Sequence, residues 1–150
     1  MEPTLGRRLY LAHHAQHDLL DTRMRRFGAS LWHWVLLRTA VELDGASQRE
    51  IAEHIGIEPP SLVPQLDKLA EEGLLERRRD DRDRRVMRVF VTEAGRRRLE
   101  ELHGVAMKTD AEMRALLTNR EADVFGKALE RVHEHFTDLK QKEDADGRES

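Results

Sequence analysis

The chain has 150 residues, 39% hydrophobic and 37% charged, with a formal net charge of −3 and no cysteine. Lack of cysteine excludes disulfides, thiolate zinc sites and thiol-based peroxide sensing, and no run approaches the roughly 18 apolar residues of a membrane span. The length fits one domain, or one lobe with an oligomerisation segment, and so polar a chain suits long two-faced helices completed by a partner.

The first residues, MEPTLGRRLYLAHH, hold no long apolar core, so no signal peptide is expected and a cytoplasmic location is the default expectation. Residues 5–27 are predicted helical: Leu5, Leu9, Ala12, Gln16, Leu19 and Leu20 share a stripe that Met24 and Phe27 continue. Gly28 ends this helix and Ser30 can cap the next. That next helix, LWHWVLLRTAVEL at 31–43, is apolar around most of its circumference and is expected to be buried. Asp44-Gly45 is a turn signal. Ser47 and Glu50 then form a capping box, in which the hydroxyl takes the Glu50 amide and the carboxylate reaches back. Ile51, Ala52 and Ile55 supply the buried face of a short helix, and Gly56 a tight turn.

The next stretch, EPPSLVPQLDKL at 58–69, has the face pattern of a helix but carries three prolines. Leu62, Leu66 and Leu69 point one way; Ser61, Gln65, Lys68 and Glu72 form the opposite stripe. Pro59 and Pro60 suit a helix start, where their missing amides would be unpaired in any case. Pro64 would cost about 3 kcal/mol in the interior of a helix starting at residue 59. The spacing therefore predicts either a late start with Ser61 as cap or a distorted first turn. Gly73 ends the helix ahead of Leu74. Short helix, glycine turn and second helix make a helix-turn-helix.

Residues 74–92, LLERRRDDRDRRVMRVFVT, follow as strand, charged loop and strand, with Met87, Val89 and Val91 on one side and Arg88 and Phe90 on the other. A helix-turn-helix followed by a hairpin with a basic tip is a winged helix. Between Arg77 and Arg98 stand ten arginines and four acids, a local balance of +6 within an acidic chain. Such a concentration marks an anion-binding surface. Thr92 caps a long helix over roughly 93–117, with Leu99, Leu102, Ala106 and Met113 as candidate core. A last helix over roughly 120–140 carries the apolar seam Phe125, Leu129, Val132, Phe136 and Leu139. One small lobe cannot bury that seam; a symmetry mate can. Residues 141–150 are expected to be a disordered tail.

The ordered set HWVLL (33–37), IGIEPPSLVPQLDKLAEEGLLERR (55–78), DRDRR (81–85) and VTEAG (91–95) resembles MarR-family transcriptional regulators, nearest their SlyA-like branch, over about residues 5–140. The resemblance implies a mainly α fold with a small β-hairpin wing, as a single MarR-type domain over 1–150. Its winged helix-turn-helix lobe would span about 30–96 and its dimerisation helices about 5–27 and 97–140. It also implies a bacterial or archaeal host, and a homodimer whose end helices intertwine. Such a dimer would regulate transcription, as a repressor, on a pseudo-palindromic operator in double-stranded DNA. In this family an Asp-x-Arg element, matched here by Asp83 and Arg85, sends the arginine into the minor groove. The family often places a DNA-contacting cation where this chain has Pro64.

Side-chain chemistry extends the candidate set. Ser61 and Gln65 can bond base edges, and Lys68 suits a phosphate. Arg82 and Arg84 can take phosphates, Arg77, Arg78 and Arg79 approach the backbone from the strand, and Ser47 and Gln48 open the first helix of the pair. The resemblance further implies a small aromatic or anionic effector between the dimerisation helices and the DNA lobe. Tyr10, His13, His14, His17, Trp32, Trp34 and Arg38 could line such a place, with Tyr10, His13, His17, Trp34 and Arg38 the best candidates, although Trp34 also suits the core. His13 and His17, with Asp21 one turn on, have a metal-like spacing, but no metal and no cofactor are expected. No Gly-rich phosphate loop, nucleophile elbow or cysteine dyad is present, so no enzyme is expected. The alternative is a winged-helix protein-interaction adaptor, which would not need ten arginines in so short a stretch.

Overall fold

A computed structural model describes residues 2–147. The elements run α1 (Leu5–Arg25), α2 (Leu31–Glu42), α3 (Gln48–Ile55), α4 (Pro59–Glu71), β1 (Leu75–Arg79), β2 (Met87–Val91), α5 (Glu93–Ala115) and α6 (Asn119–Asp146). The chain divides into two compact units after Lys108, inside α5.

In the first unit, the core of the helix-turn-helix and hairpin is built from Leu36, Leu37 and Ala40 of α2, Ile51 and Ala52 of α3, Leu62, Leu66 and Leu69 of α4, and Leu75, Val89 and Val91 of the hairpin. A second cluster joins Leu20 and Met24 of α1 and Leu31 of α2 to Leu102, Val105 and Ala106 of α5. The expected inward leucine stripe of α4 is thus fully buried. Met113 of α5, expected in the core, is exposed instead.

Ser47 and Glu50 close the predicted capping box: the Glu50 amide donates to the Ser47 hydroxyl (3.2 Å) and the Ser47 amide to Glu50 Oε2 (2.7 Å). At the start of α4 the first alternative fails. The helix begins at Pro59 with Glu58 as N-cap, and Ser61 is not the cap. The Ser61 amide instead donates to the Glu58 carbonyl three residues back (3.0 Å), a tighter opening than an α-turn. Pro64 lies inside the helix, where it removes the bond to the Pro60 carbonyl.

The end of α4 is a Schellman turn. Gly73 adopts φ +72°, the Gly73 amide donates to the Ala70 carbonyl (3.0 Å), and the Leu74 amide to the Leu69 carbonyl (2.9 Å). Thr92 ties this turn to the start of α5. Its hydroxyl donates to the Gly73 carbonyl (2.7 Å) and accepts from the Gly95 amide (3.0 Å). So close is the approach that a Cβ on Gly95 would lie 2.1 Å from the Leu74 carbonyl oxygen.

The second unit holds the end of α5 and all of α6. Thr118 caps α6 by accepting from the Glu121 amide at 3.3 Å. The seam residues Phe125, Val132, Phe136 and Leu139 are exposed. The tail expected to be disordered from residue 141 is helical to Asp146, and no glycine or proline stands between residue 141 and Gly147. The rest of that expectation, residues 148–150, lies outside the described residues.

Gly95→Ala should destabilise the first unit by about 3 kcal/mol, since Leu74 backbone rather than a side chain must move. Thermal denaturation checks this; a melting temperature equal to that of the parent chain would contradict the close approach.

Candidate nucleic-acid interface

Two short pieces of local chemistry bring the helix-turn-helix and the hairpin onto one surface. Ser47, at the start of α3, bridges to Arg88 of β2, and the Val89 amide donates to the Ala46 carbonyl at 2.9 Å. The α2–α3 turn therefore adds a short third edge to the hairpin. An open groove follows, lined by Ser47, Gln48 and Arg49 of the α3 start, Pro59, Pro60 and Val63 of α4, and Arg85, Val86 and Met87 of the hairpin. Ser47, Gln48 and Arg85, predicted separately, meet there. Gln48 is half-buried with its side-chain oxygen unpaired by protein.

The hairpin pairs Leu75 with Val91 through Arg79 with Met87 in antiparallel register. This sets Arg78 directly opposite Arg88, a like-charge pair that would oppose pairing. Each charge is met separately. Arg78 Nη2 donates to Glu76 Oε2 (2.6 Å) and its guanidinium lies over the Phe90 ring (4.9 Å). Arg88 Nε donates to Asp80 Oδ2, and its Nη1 donates to the Gly45 carbonyl (3.0 Å).

Asp80 is the hub of the wing tip. Besides Arg88 it accepts from the Arg82 amide (2.8 Å) and the Asp83 amide (3.0 Å). The Arg88 guanidinium, then these two amides, hold its carboxyl down to about 2. Asp83 in turn accepts from the Arg85 side chain at Nε (3.1 Å) and from the Arg85 amide (3.0 Å), which also lower its carboxyl. Arg85 is braced at its base while its side chain is 92% exposed. Arg82 and Arg84 are exposed as well.

Other predicted residues are placed differently. Arg77 Nη2 donates to Asp67, so this guanidinium ties β1 to α4 rather than standing free. Arg79 Nη1 donates to the Arg84 carbonyl within the wing (2.8 Å). On α4, Ser61 and Lys68 are exposed and Gln65 is half-buried. Glu72 leaves that stripe: its Oε2 meets Nε2 of buried His33 on α2 at 3.0 Å.

The candidate effector residues fall into two pairings. Along α1, Tyr10 packs on His14 (5.3 Å between centroids) and His13 on His17 (5.7 Å), all exposed. On α2, Arg38 lies over the half-buried Trp34 ring at 5.4 Å, Trp34 Nε1 is buried without a protein partner, and Trp32 is at the surface.

Sequence reasoning missed Asp80, Arg88 and His33. Asp80 carried a usable signal, since an aspartate closing a strand and opening a loop commonly accepts from the amides two and three residues on. His33 carried none, because Glu72 lies 39 residues away, and Arg88 carried none, because only the hairpin register brings it to Asp80 and only the fold brings it to Gly45, 43 residues away.

The MarR family model matches residues 30–87. Solved structures cover nearly the whole chain. A MarR transcriptional regulator from Methanosarcina mazei is 21% identical, with a TM-score of 0.82 over 90% of this chain and 97% of that one. A mutant MarR from E. coli, complexed with operator DNA, is 21% identical, with a TM-score of 0.78 over 85% and 92%. A Mycobacterium tuberculosis MarR family protein in complex with salicylic acid is 25% identical, with a TM-score of 0.71 over 87% and 97%. The fold is thus that of the winged-helix MarR regulators, mainly helical with a two-stranded wing.

Because the Asp80 carboxyl is depressed in the folded state, its stabilisation is complete above about pH 4 and fades as the pH falls through about 2. Asp80→Ala should lower the melting temperature at neutral pH and flatten the acid limb of stability between those values. An unchanged acid limb would remove Asp80 as the wing's anchor.

Proposed function

We propose that the chain is a member of the MarR family and acts as a homodimeric, sequence-specific regulator of transcription, a repressor, on a pseudo-palindromic operator in double-stranded DNA. One observation carries this: the Arg85 guanidinium stands almost fully exposed while Asp83 braces it, on the groove that also holds the starts of α3 and α4. A solvated loop has no need of such bracing, whereas an arginine aimed at a narrow minor groove gains from it. The E. coli relative solved with operator DNA supports the same use of this fold.

In this mechanism α4 enters a major groove about 12 Å wide. Ser61 and Gln65 meet base edges, and Lys68, Arg82 and Arg84 take phosphates; Ser47 and Gln48 meet the backbone at the start of α3. Arg77 and Arg79, already bonded to Asp67 and the Arg84 carbonyl, shape the wing and add field rather than direct contacts. Pro64 puts no cation on the outward face, so recognition at that step rests on its neighbours.

Dimerisation is supported by apolar surface that each unit leaves uncovered: Leu5, Leu9 and Leu19 on α1, and Phe125, Val132 and Phe136 on α6. A two-fold dimer sets half-sites about one helical turn apart. The domain is then the single MarR-type domain set out above, with SlyA-like character resting on residues 55–78. As a DNA-bound regulator it would work in the cytoplasm; among the described residues no helix is long and apolar enough to cross a membrane. The salicylic acid complex of the relative supports binding of a small aromatic anion, with release from DNA as its proposed consequence. The Arg38–Trp34 pair offers such an anion a cation beside an aromatic wall, with Tyr10, His13 and His17 as the candidates from α1.

Selection of genomic fragments on immobilised protein should recover a pseudo-palindrome whose binding weakens steeply with salt. Recovery of no preferred duplex would leave a protein-interaction adaptor instead. On the selected duplex, Arg85→Ala should cost about 1–3 kcal/mol of affinity, measured by fluorescence anisotropy. Equal affinity of the two proteins would remove Arg85 from the interface.

A further inference from the structure

A buried histidine joins the start of α2 to the end of α4. His33 is 3% exposed, and both of its ring nitrogens are bonded. The Ser30 amide donates to Nδ1 at 3.0 Å, and the Ser30 hydroxyl lies 2.9 Å from the same atom. A backbone amide can only donate, so Nδ1 is the acceptor and the neutral ring carries its proton on Nε2. That proton faces Glu72 Oε2 at 3.0 Å. His33 thus fills the place in the α2 capping box where Glu or Gln commonly stands. Unlike a carboxylate or amide, the ring spans both ways, with one nitrogen on its own cap and the other on a different helix.

Glu72 is in an unusual position for an acid. It is the C-cap of α4, at the negative end of the helix dipole, where a carboxylate opposes the macrodipole. Its presence there calls for a donor, and the His33 N–H supplies one. On the other side, the first turn of α2 is held by α1. The Leu31 amide donates to Asp21 Oδ1 (2.8 Å), and Asp21 Oδ2 accepts from Arg25 Nε (2.7 Å). From Asp21 to Glu72, therefore, polar contacts link α1 to the first turn of α2, and that turn to the last turn of α4.

We propose that His33 is a positioning residue for α4: acting through Glu72, it sets the C-terminal end of the base-reading helix relative to the α1–α2 junction. The geometry stands on its own contacts; its consequence for DNA rests on the function proposed above. A shift of α1, such as an effector at the dimer end would produce, would reach Lys68 and Gln65 along this line. His33 is buried, and among the described residues its ring nitrogens meet only Ser30 and Glu72.

The test compares the parent chain with Glu72→Ala and Glu72→Gln. Glu72 is 40% exposed at its side chain, so neither change opens the core. Gln keeps an acceptor for the His33 N–H; Ala does not. Three quantities are read: the imidazole ¹⁵N shifts of His33, amide exchange at Gly73 and Leu74, and affinity for the selected duplex. The parent and the Gln variant should both show the Nε2–H tautomer and slow exchange. The Ala variant should keep that tautomer, which the Ser30 amide sets, but move its Nε2 shift as the bond to Glu72 is lost, exchange about tenfold faster at the end of α4, and bind DNA about tenfold more weakly. The direction is diagnostic, because removing a carboxylate near phosphates would by charge alone tighten binding.

Identical shifts and exchange in all three proteins would overturn the inference whatever the DNA result. Faster exchange with unchanged or tighter DNA binding would overturn it too, since the tie would then only hold the fold together. If the parent recovers no preferred duplex, the DNA function fails, while the shifts and exchange still decide whether His33 holds the end of α4.

Discussion

The outward face of α4 is usable because its inward face is locked. Leu62, Leu66 and Leu69 are 0–2% exposed, packed against α2, α3 and the hairpin. At about 1.5–3 kcal/mol for each fully buried leucine, this stripe outweighs the roughly 3 kcal/mol that Pro64 imposes on a helix interior. The helix therefore holds its rotation about its own axis despite a broken backbone bond. Ser61, Gln65 and Lys68 face away from the core as a consequence of that rotation, not of any preference of their own.

Packing fixes rotation but leaves the ends free, and polar contacts take over there. At the N-terminal end the Ser61 amide finds the Glu58 carbonyl, so the proline-rich turn tightens rather than unravels. At the C-terminal end a left-handed glycine turns the chain, Thr92 ties the turn to α5, and Glu72 meets His33. For the groove insertion proposed above, a helix fixed at both ends is an advantage, since an error of orientation at one end is magnified at the other.

Electrostatics divides the arginines into those that build the wing and those left over. Arg77, Arg78, Arg79 and Arg88 are each engaged with an acid or a carbonyl, while Arg82, Arg84 and Arg85 project into solvent. The acids Asp80 and Asp83 do not cancel the positive field so much as organise it, by accepting backbone amides that curl the tip and by holding Arg85 at its base. In a chain whose net charge is −3, the positive surface exists only because these groups are gathered.

Much of this was legible in the residue order. Period and capping chemistry located every helix of the first unit to within two residues of the observed ends, because capping boxes, glycine stops and three-to-four spacing are local. The alternation in residues 87–91 likewise told which side of β2 is buried. Ambiguity remained wherever two local rules competed. The three prolines left either a late start of α4 or a distorted first turn, and the helix begins at Pro59 with the Ser61 amide drawn to the Glu58 carbonyl, the second of the two. Met113 fitted the helical stripe of α5 yet is exposed, and the stretch after residue 140 is helical although its composition suggested disorder. What residue order determined by itself was the set of elements, their inward faces and the concentration of positive charge. Only the tertiary structure decided which arginines are spent on the wing, that Asp80 anchors it, and that His33 reaches Glu72. His33 and Glu72 stand 39 residues apart, and even the nearer pairs, Arg77 with Asp67 and Arg88 with Asp80, meet only because helix packing and hairpin register bring them together, which residue order does not encode.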